Sequence, residues 1–169
     1  MRDRTPPVPY GVFLDSSIVI YLEEYGEQIF DGVAVDPALP SQLQEQMEAL
    51  RVLMMLAFRA GWAFAVSPAV VDEVNSSYVR ELAAYWQQAR EDWGIEERGL
   101  APMTVISSLP NGDQTVLAQA YRSGCEVLLT NDLRWLKPTH HRTLTALGLD
   151  AYTPEALVTF LEPWLGLWL

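Results

Sequence analysis

Short apolar runs alternating with amphipathic helical stripes constrain this chain more than any other feature. Val12-Phe13-Leu14, Trp62 to Val66, Thr104 to Ser107 and Cys125 to Thr130 read as strands, and Leu149 to Tyr152 reads as a further one. Between them, apolar residues recur at helical spacing: Ile18, Val19 and Leu22; Leu43, Met47, Leu50 and Met54; Val70, Val74, Tyr78 and Leu82. Such alternation indicates an α/β class protein. Its parallel sheet, of about four or five short strands, lies between helices on both faces as a three-layer α/β/α stack.

Punctuation along the chain agrees with this reading. Ser41 with Gln44, and Asn111 with Gln114, have the spacing of capping boxes. Gly61 ends the helix before the second strand. Ser67-Pro68 opens a helix expected to continue to about Ala89. A chain of 169 residues suffices for one self-supporting domain. It is expected over residues 1–169, with 1–10 an extended N-terminal segment and 155–169 a closing apolar helix and tail.

The single cysteine, Cys125, excludes an internal disulfide and a thiolate metal cage, and fits a cytoplasmic location. Residues 1–10 are polar and proline-rich, unlike a signal sequence. The run from Leu157 to Leu169 is short and broken by Glu162 and Pro163, so no membrane span is expected. Phosphate-cradling glycine motifs are absent.

The formal net charge of -11 runs against binding through phosphate neutralisation, which favours basic proteins. Its distribution runs the other way. Glu23, Glu24, Glu27, Asp31 and Asp36 form a stretch without Lys or Arg, most simply a solvated face. Arg122, Arg134, Lys137 and Arg142, with His140 and His141, cluster where only Glu126 and Asp132 are acidic.

Four acids stand where strands end or helices begin: Asp15, Glu73, Asp113 and Asp132. In open α/β folds such places converge at the carboxyl edge of the sheet. Each has a bland explanation by itself. Asp15 can cap the helix after the first strand, and Glu73 and Asp113 sit early in helices, where the dipole favours a carboxylate. Dipole stabilisation does not explain why all four should share one edge. Crowded carboxylates without bases need a cation, and a hard divalent ion is the natural one.

In order, Phe-Leu-Asp15-Ser-Ser17, Ser67-Pro-Ala-Val-Val-Asp-Glu73, Asp113-Gln-Thr-Val-Leu-Ala-Gln-Ala120 and Leu-Leu-Thr130-Asn-Asp132 resemble the four acidic motifs of the PIN domain family. Those nucleases include many toxins of the VapC type. The resemblance covers nearly the whole chain, from Val12 to Glu155, with a long acidic stretch between the first two motifs.

It implies a metal-dependent endoribonuclease using Mg²⁺ or Mn²⁺ and leaving 5′-phosphate and 3′-hydroxyl ends. Asp15, Glu73, Asp113 and Asp132 would be its metal-binding carboxylates, Asp15 and Asp132 directly and Glu73 or Asp113 through water. Ser17, Thr130 and Asn131 would support them. RNA would be the substrate, an antitoxin protein a partner, and pairing as a homodimer common in the family; the apolar tail Phe160 to Leu169 suits such pairing. Arg134, Lys137, His140, His141 and Arg142 are the candidates for contacting phosphate. Trp135 is better read as packing under the last loop than as a base-stacking platform.

Two other readings compete. A receiver-like domain would share Lys137-Pro138, but it needs paired acids after the first strand and another after Thr104 to Ser108, and the sequence has neither. A PIN-like fold without turnover, serving as a nucleic-acid or protein binding module, fits the acidic surface.

Overall fold

The structure is a computed structural model that describes Pro9 and residues 11–167. Most of the expected N-terminal segment, and Trp168 and Leu169 of the tail, lie outside those residues.

Four parallel strands form one sheet: β1 (Gly11–Leu14), β2 (Ala63–Val66), β3 (Val127–Leu129) and β4 (Asp150–Tyr152), in the order β2-β1-β3-β4. Phe13 pairs with Ala65 on one side and Leu128 on the other, so β1 is central. Alternate residues of β1 enter different cores, as the two-residue period of a strand requires. Val12 and Leu14 join Phe64, Val127 and Leu129 against α1 (Ser16–Glu24), α3 (Ser41–Ala60) and α9 (Pro154–Leu161). Phe13 and Leu128 join Leu117, Ala120 and Leu144 on the opposite face, against α7 (Asn111–Arg122) and α8 (Pro138–Ala146). Helices therefore cover both faces, and the α/β/α architecture stands.

Three local expectations are corrected. Thr104 to Ser107 is not a strand: Met103–Ile106 forms a single helical turn, α6, preceded by Pro102. Only Ile106 of these residues is buried, so no sheet position rewards their β-branched character. The helix expected from Ser67 to about Ala89 is two helices, α4 (Pro68–Val74) and α5 (Ser77–Asp92). Asn75 breaks it by adopting the left-handed conformation, φ 51° and ψ 34°, and Ser76 caps α5 through Val79 N–H. The remaining short helix, α2, covers Gly26–Phe30.

The expected capping boxes are replaced by another device. Pro40 and Pro110 occupy the capping positions without side-chain cap bonds. Gln44 Nε2 reaches back to the Leu39 carbonyl, and Gln114 Nε2 to the Leu109 carbonyl, each at 2.6 Å. The repeated Leu-Pro-x-x-x-Gln pattern thus ties each helix to the residue before its proline.

Candidate metal centre and its guanidinium

Strand order places the site. From β1 the chain moves outward to β2, then crosses back to β3 on β1's other side. The carboxyl ends of β1 and β3 therefore flank the switch point, where open α/β sheets leave a crevice. Asp15 follows β1 and Thr130-Asn131-Asp132 follows β3, joined by Asp15 N–H donating to the Leu129 carbonyl at 3.0 Å.

Asp15 is 8% exposed and accepts three hydrogen bonds. Ser16 N–H donates to Oδ1 at 2.8 Å, and Thr130 Oγ1 to Oδ2 at 2.7 Å. Ser17 Oγ lies 3.4 Å from Oδ2 and itself accepts from Asn131 N–H at 3.1 Å. Thr130, only 1% exposed, also accepts from Asp132 N–H through Oγ1 at 2.9 Å. One hydroxyl thus fixes both the side chain of the first acid and the backbone of the last. Ser17, Thr130 and Asn131 lie around Asp15, and the buried Asn131 side-chain amide has no hydrogen-bond partner.

Asp132 opens a 3₁₀ turn, Leu133–Leu136, by accepting from Arg134 N–H at 3.0 Å. The Arg134 side chain then folds back onto the same carboxylate. Its Nε lies 3.1 and 2.8 Å from Oδ1 and Oδ2, and its Nη2 lies 2.5 Å from Oδ2. That guanidinium holds the Asp132 carboxyl below its usual range.

Asp113, in the first turn of α7 and 8% exposed, faces the same guanidinium, with Oδ1 3.9 Å from Arg134 Nη2. Its Oδ2 is 2.8 Å from His140 Nε2. A carboxylate only accepts, so Nε2 is the protonated nitrogen of this pair. The His140 ring stands edge-on to Trp135, centroids 5.2 Å apart, and Trp135 is buried beneath the loop. His140 is therefore an inward-facing partner of Asp113 with a side chain 13% exposed, rather than a surface contact for phosphate. Lys137, His141 and Arg142 are exposed, as a phosphate contact requires.

The structure brings together three of the four acids. The Arg134 guanidinium is stabilised in its charged form first by Asp132, then by Asp113, with a smaller contribution from Asp15. Glu73 is exposed near the end of α4, and among the described residues no hydrogen bond or ion pair joins it to the other acids. The break at Asn75 makes α4 only seven residues long and puts Glu73 next to its end.

Acceptor-only carboxylate oxygens suit a hard divalent cation. A cation already stands among them, but it is Arg134. Among the described residues, no three His, Cys, Asp or Glu side chains are grouped to hold a metal ion. Both Asp132 oxygens face Arg134, and Asp113 Oδ2 faces His140. The donor types suit a hard cation, and their present grouping does not hold one.

Sequence reasoning missed the return of Arg134 onto Asp132 and the inward turn of His140. A signal for the first was present. An Asp that caps a turn accepts from the N–H two residues on, which brings an Arg at that position back over it.

A hollow of about 810 Å³ lies elsewhere, between α3 and α5. Met54, Phe58, Trp62 and Trp86 are among its mainly apolar lining, and none of the four acids reaches it. Comparison with protein-family models, curated proteins and solved structures gives no match.

Proposed function

We propose that this protein is a PIN-like, metal-dependent endoribonuclease. One observation supports the reading: at the switch point of a parallel sheet Asp113 and Asp132 share Arg134, and Thr130 ties the Asp15 carboxylate to the Asp132 backbone. Asp15 and Asp132 would be the direct ligands for Mg²⁺ or Mn²⁺. Asp113 would contribute directly or through water, and Glu73 through water.

When bound, the ion lowers the pKa of a water and neutralises phosphate charge. The chain's own residues do the rest. Thr130 and Ser17 keep Asp15 oriented, and Thr130 holds Asp132 in register with it. Lys137, His141 and Arg142 bind phosphates of the RNA. Water adds to phosphorus in line, the bond to the 3′-oxygen breaks, and the water's proton ends on that oxygen. The products carry 5′-phosphate and 3′-hydroxyl ends.

The resemblance extends the proposal to a toxin of a type II toxin–antitoxin pair acting in the cytoplasm, with a small antitoxin protein as its partner. No helix among the described residues is long and apolar enough to cross a membrane. Pairing as a homodimer belongs to the same reading.

A second reading is favoured by Arg134 engaging both oxygens of Asp132: a PIN-like binding module in which Asp132 stays paired with Arg134. Mn²⁺ calorimetry beside cleavage of single-stranded RNA separates the two. The nuclease reading expects Mn²⁺-dependent cleavage that falls by at least about 100-fold in Asp15→Asn. Absence of cleavage by the wild-type protein, with RNA still bound, selects the module.

A further inference from the structure

We infer that a crevice along the outer edge of β2 binds a small organic carboxylate, which the buried guanidinium of Arg90 receives. The inference stands apart from the nuclease reading, because none of Asp15, Glu73, Asp113 and Asp132 lines this crevice.

Strand order leaves the space. β2 pairs with β1 on one side, and no strand among the described residues follows on the other. Successive residues Phe64, Ala65 and Val66 all line one crevice of about 660 Å³, although neighbouring side chains of a strand point to opposite faces. The crevice therefore runs alongside the strand, between α5 and the last turn of α7. Phe13, Phe64, Val71 and Trp86 give it apolar walls, and its volume is that of a small-molecule site.

Arg90 supplies the chemistry. It lines the crevice from α5, is 5% exposed, and among the described residues has no carboxylate within ion-pair distance. Its Nη2 donates to the Ser123 carbonyl, and its Nη1 lies 3.4 Å from Cys125 Sγ. Neither partner carries a negative charge: burial pushes the Cys125 thiol up, so it stays protonated. A guanidinium has more N–H donors than these contacts use. Tying α5 to the end of α7 needs only one donor, which a neutral amide could supply without burying a charge. The C-terminal dipole of α7 offsets part of the cost of that charge. An anion in the crevice offsets more, since buried charges are ordinarily paired.

The other charged groups select the kind of anion. Arg122, Glu97 and Asp72 also line the crevice, and Glu97 already pairs with Arg122 at 3.3 Å. A doubly charged phosphate would meet two carboxylates and one unmatched guanidinium. A singly charged, planar carboxylate matches Arg90 alone and fits its fork. Its apolar body then lies against Phe64 and Trp86.

The test is an NMR titration of the ¹⁵N-labelled full chain with 3-phenylpropionate, octanoate, 3-phenylpropionamide and inorganic phosphate. Wild type is compared with Arg90→Met, Arg90→Lys and Gln119→Phe. Either carboxylate is expected to give saturable shifts at the Arg90 Nε–H and the Trp86 indole N–H. The amide should bind about tenfold more weakly than 3-phenylpropionate, as should the carboxylate to Arg90→Met. Lys keeps the charge without the fork and should fall between. Gln119→Phe narrows the crevice from α7 without touching the contacts of Arg90, and should weaken binding to a similar degree. Should Arg90→Met fail to fold, Gln119→Phe and the amide carry the comparison.

No saturable shift with either carboxylate overturns the site, leaving Arg90 as a tie between α5 and α7. Equal affinity for carboxylate and amide overturns the role of Arg90, and tighter binding of phosphate overturns the ligand class. Shifts confined to Trp62 and Trp93 would put the probe in the hollow between α3 and α5 and overturn the inference as well.

Discussion

Thr130 shows how little is needed to assemble the site. Its hydroxyl donates to Asp15 Oδ2 and accepts from Asp132 N–H, so one buried side chain spans the crevice between two strand ends. Asp132 is then left to its exposed neighbour Arg134, which has a consequence in acid. The guanidinium lowers the Asp132 carboxyl below its ordinary value of 3.8 in the folded protein. A lowered native pKa stabilises the fold fully above the unfolded value, and the contribution is lost as pH falls through the native one. Urea midpoints of wild type and Arg134→Ala should therefore differ near neutral pH and converge on the acid side of 3.8. Parallel curves through that range would show that the pair does not stabilise the fold. Asp15, Ser17, Thr130 and Asp132 were legible because each follows a recognisable strand. The pairing of Arg134 with Asp132 was not, because it depends on a single 3₁₀ turn that leaves no periodic signal. Nothing in the sequence separates His140 from the exposed His141 beside it; contact with Trp135 and Asp113 turns one of them inward.

Helix boundaries decided where the fourth acid went. The stripe from Val70 to Trp86 keeps helical spacing across Asn75, so periodicity alone joins α4 to α5. The break comes from the backbone at Asn75, one of the few residue types that tolerate a positive φ. Asn75→Gly should leave stability within about 1 kcal/mol of wild type, whereas Asn75→Val should lose about 1–2 kcal/mol in urea unfolding. Equal losses for both would place the cause in the Asn side chain, which accepts from Arg80, rather than in φ. The expected strand at Thr104 to Ser107 failed for a related reason. Three β-branched residues favour a strand, but Pro102 starts a turn and only Ile106 is fully buried, with Val105 packed partly against the same core. The true strands were legible because β1 and β3 are buried on both faces and so lack polar interruptions.

For the molecule as a whole, charge and apolar surface pull in opposite directions. A net charge of -11 opposes both RNA and self-association, while Phe160 (41% exposed) and Leu167 (68% exposed) leave apolar area uncovered at the closing helix. Leu157 and Leu161 of the same helix are buried in the core, so only part of the tail is available for pairing. If two copies pair there, salt should strengthen the dimer by screening like charges. Sedimentation at micromolar protein is expected to show a dimer that gains population as salt rises; monomer alone at every salt concentration would remove it. The three-layer fold itself was legible from the alternation of strands and helices, because that pattern requires only that each face of the sheet be covered.

Everything chemical depends on a cation binding among Asp15, Asp113 and Asp132. Crystals grown with Mn²⁺ and measured at a wavelength where manganese scatters anomalously would locate it directly. A single strong peak within about 2.0–2.6 Å of carboxylate oxygens of Asp15 and Asp132 is the expected result. Saturating Mn²⁺ with no peak there would contradict it.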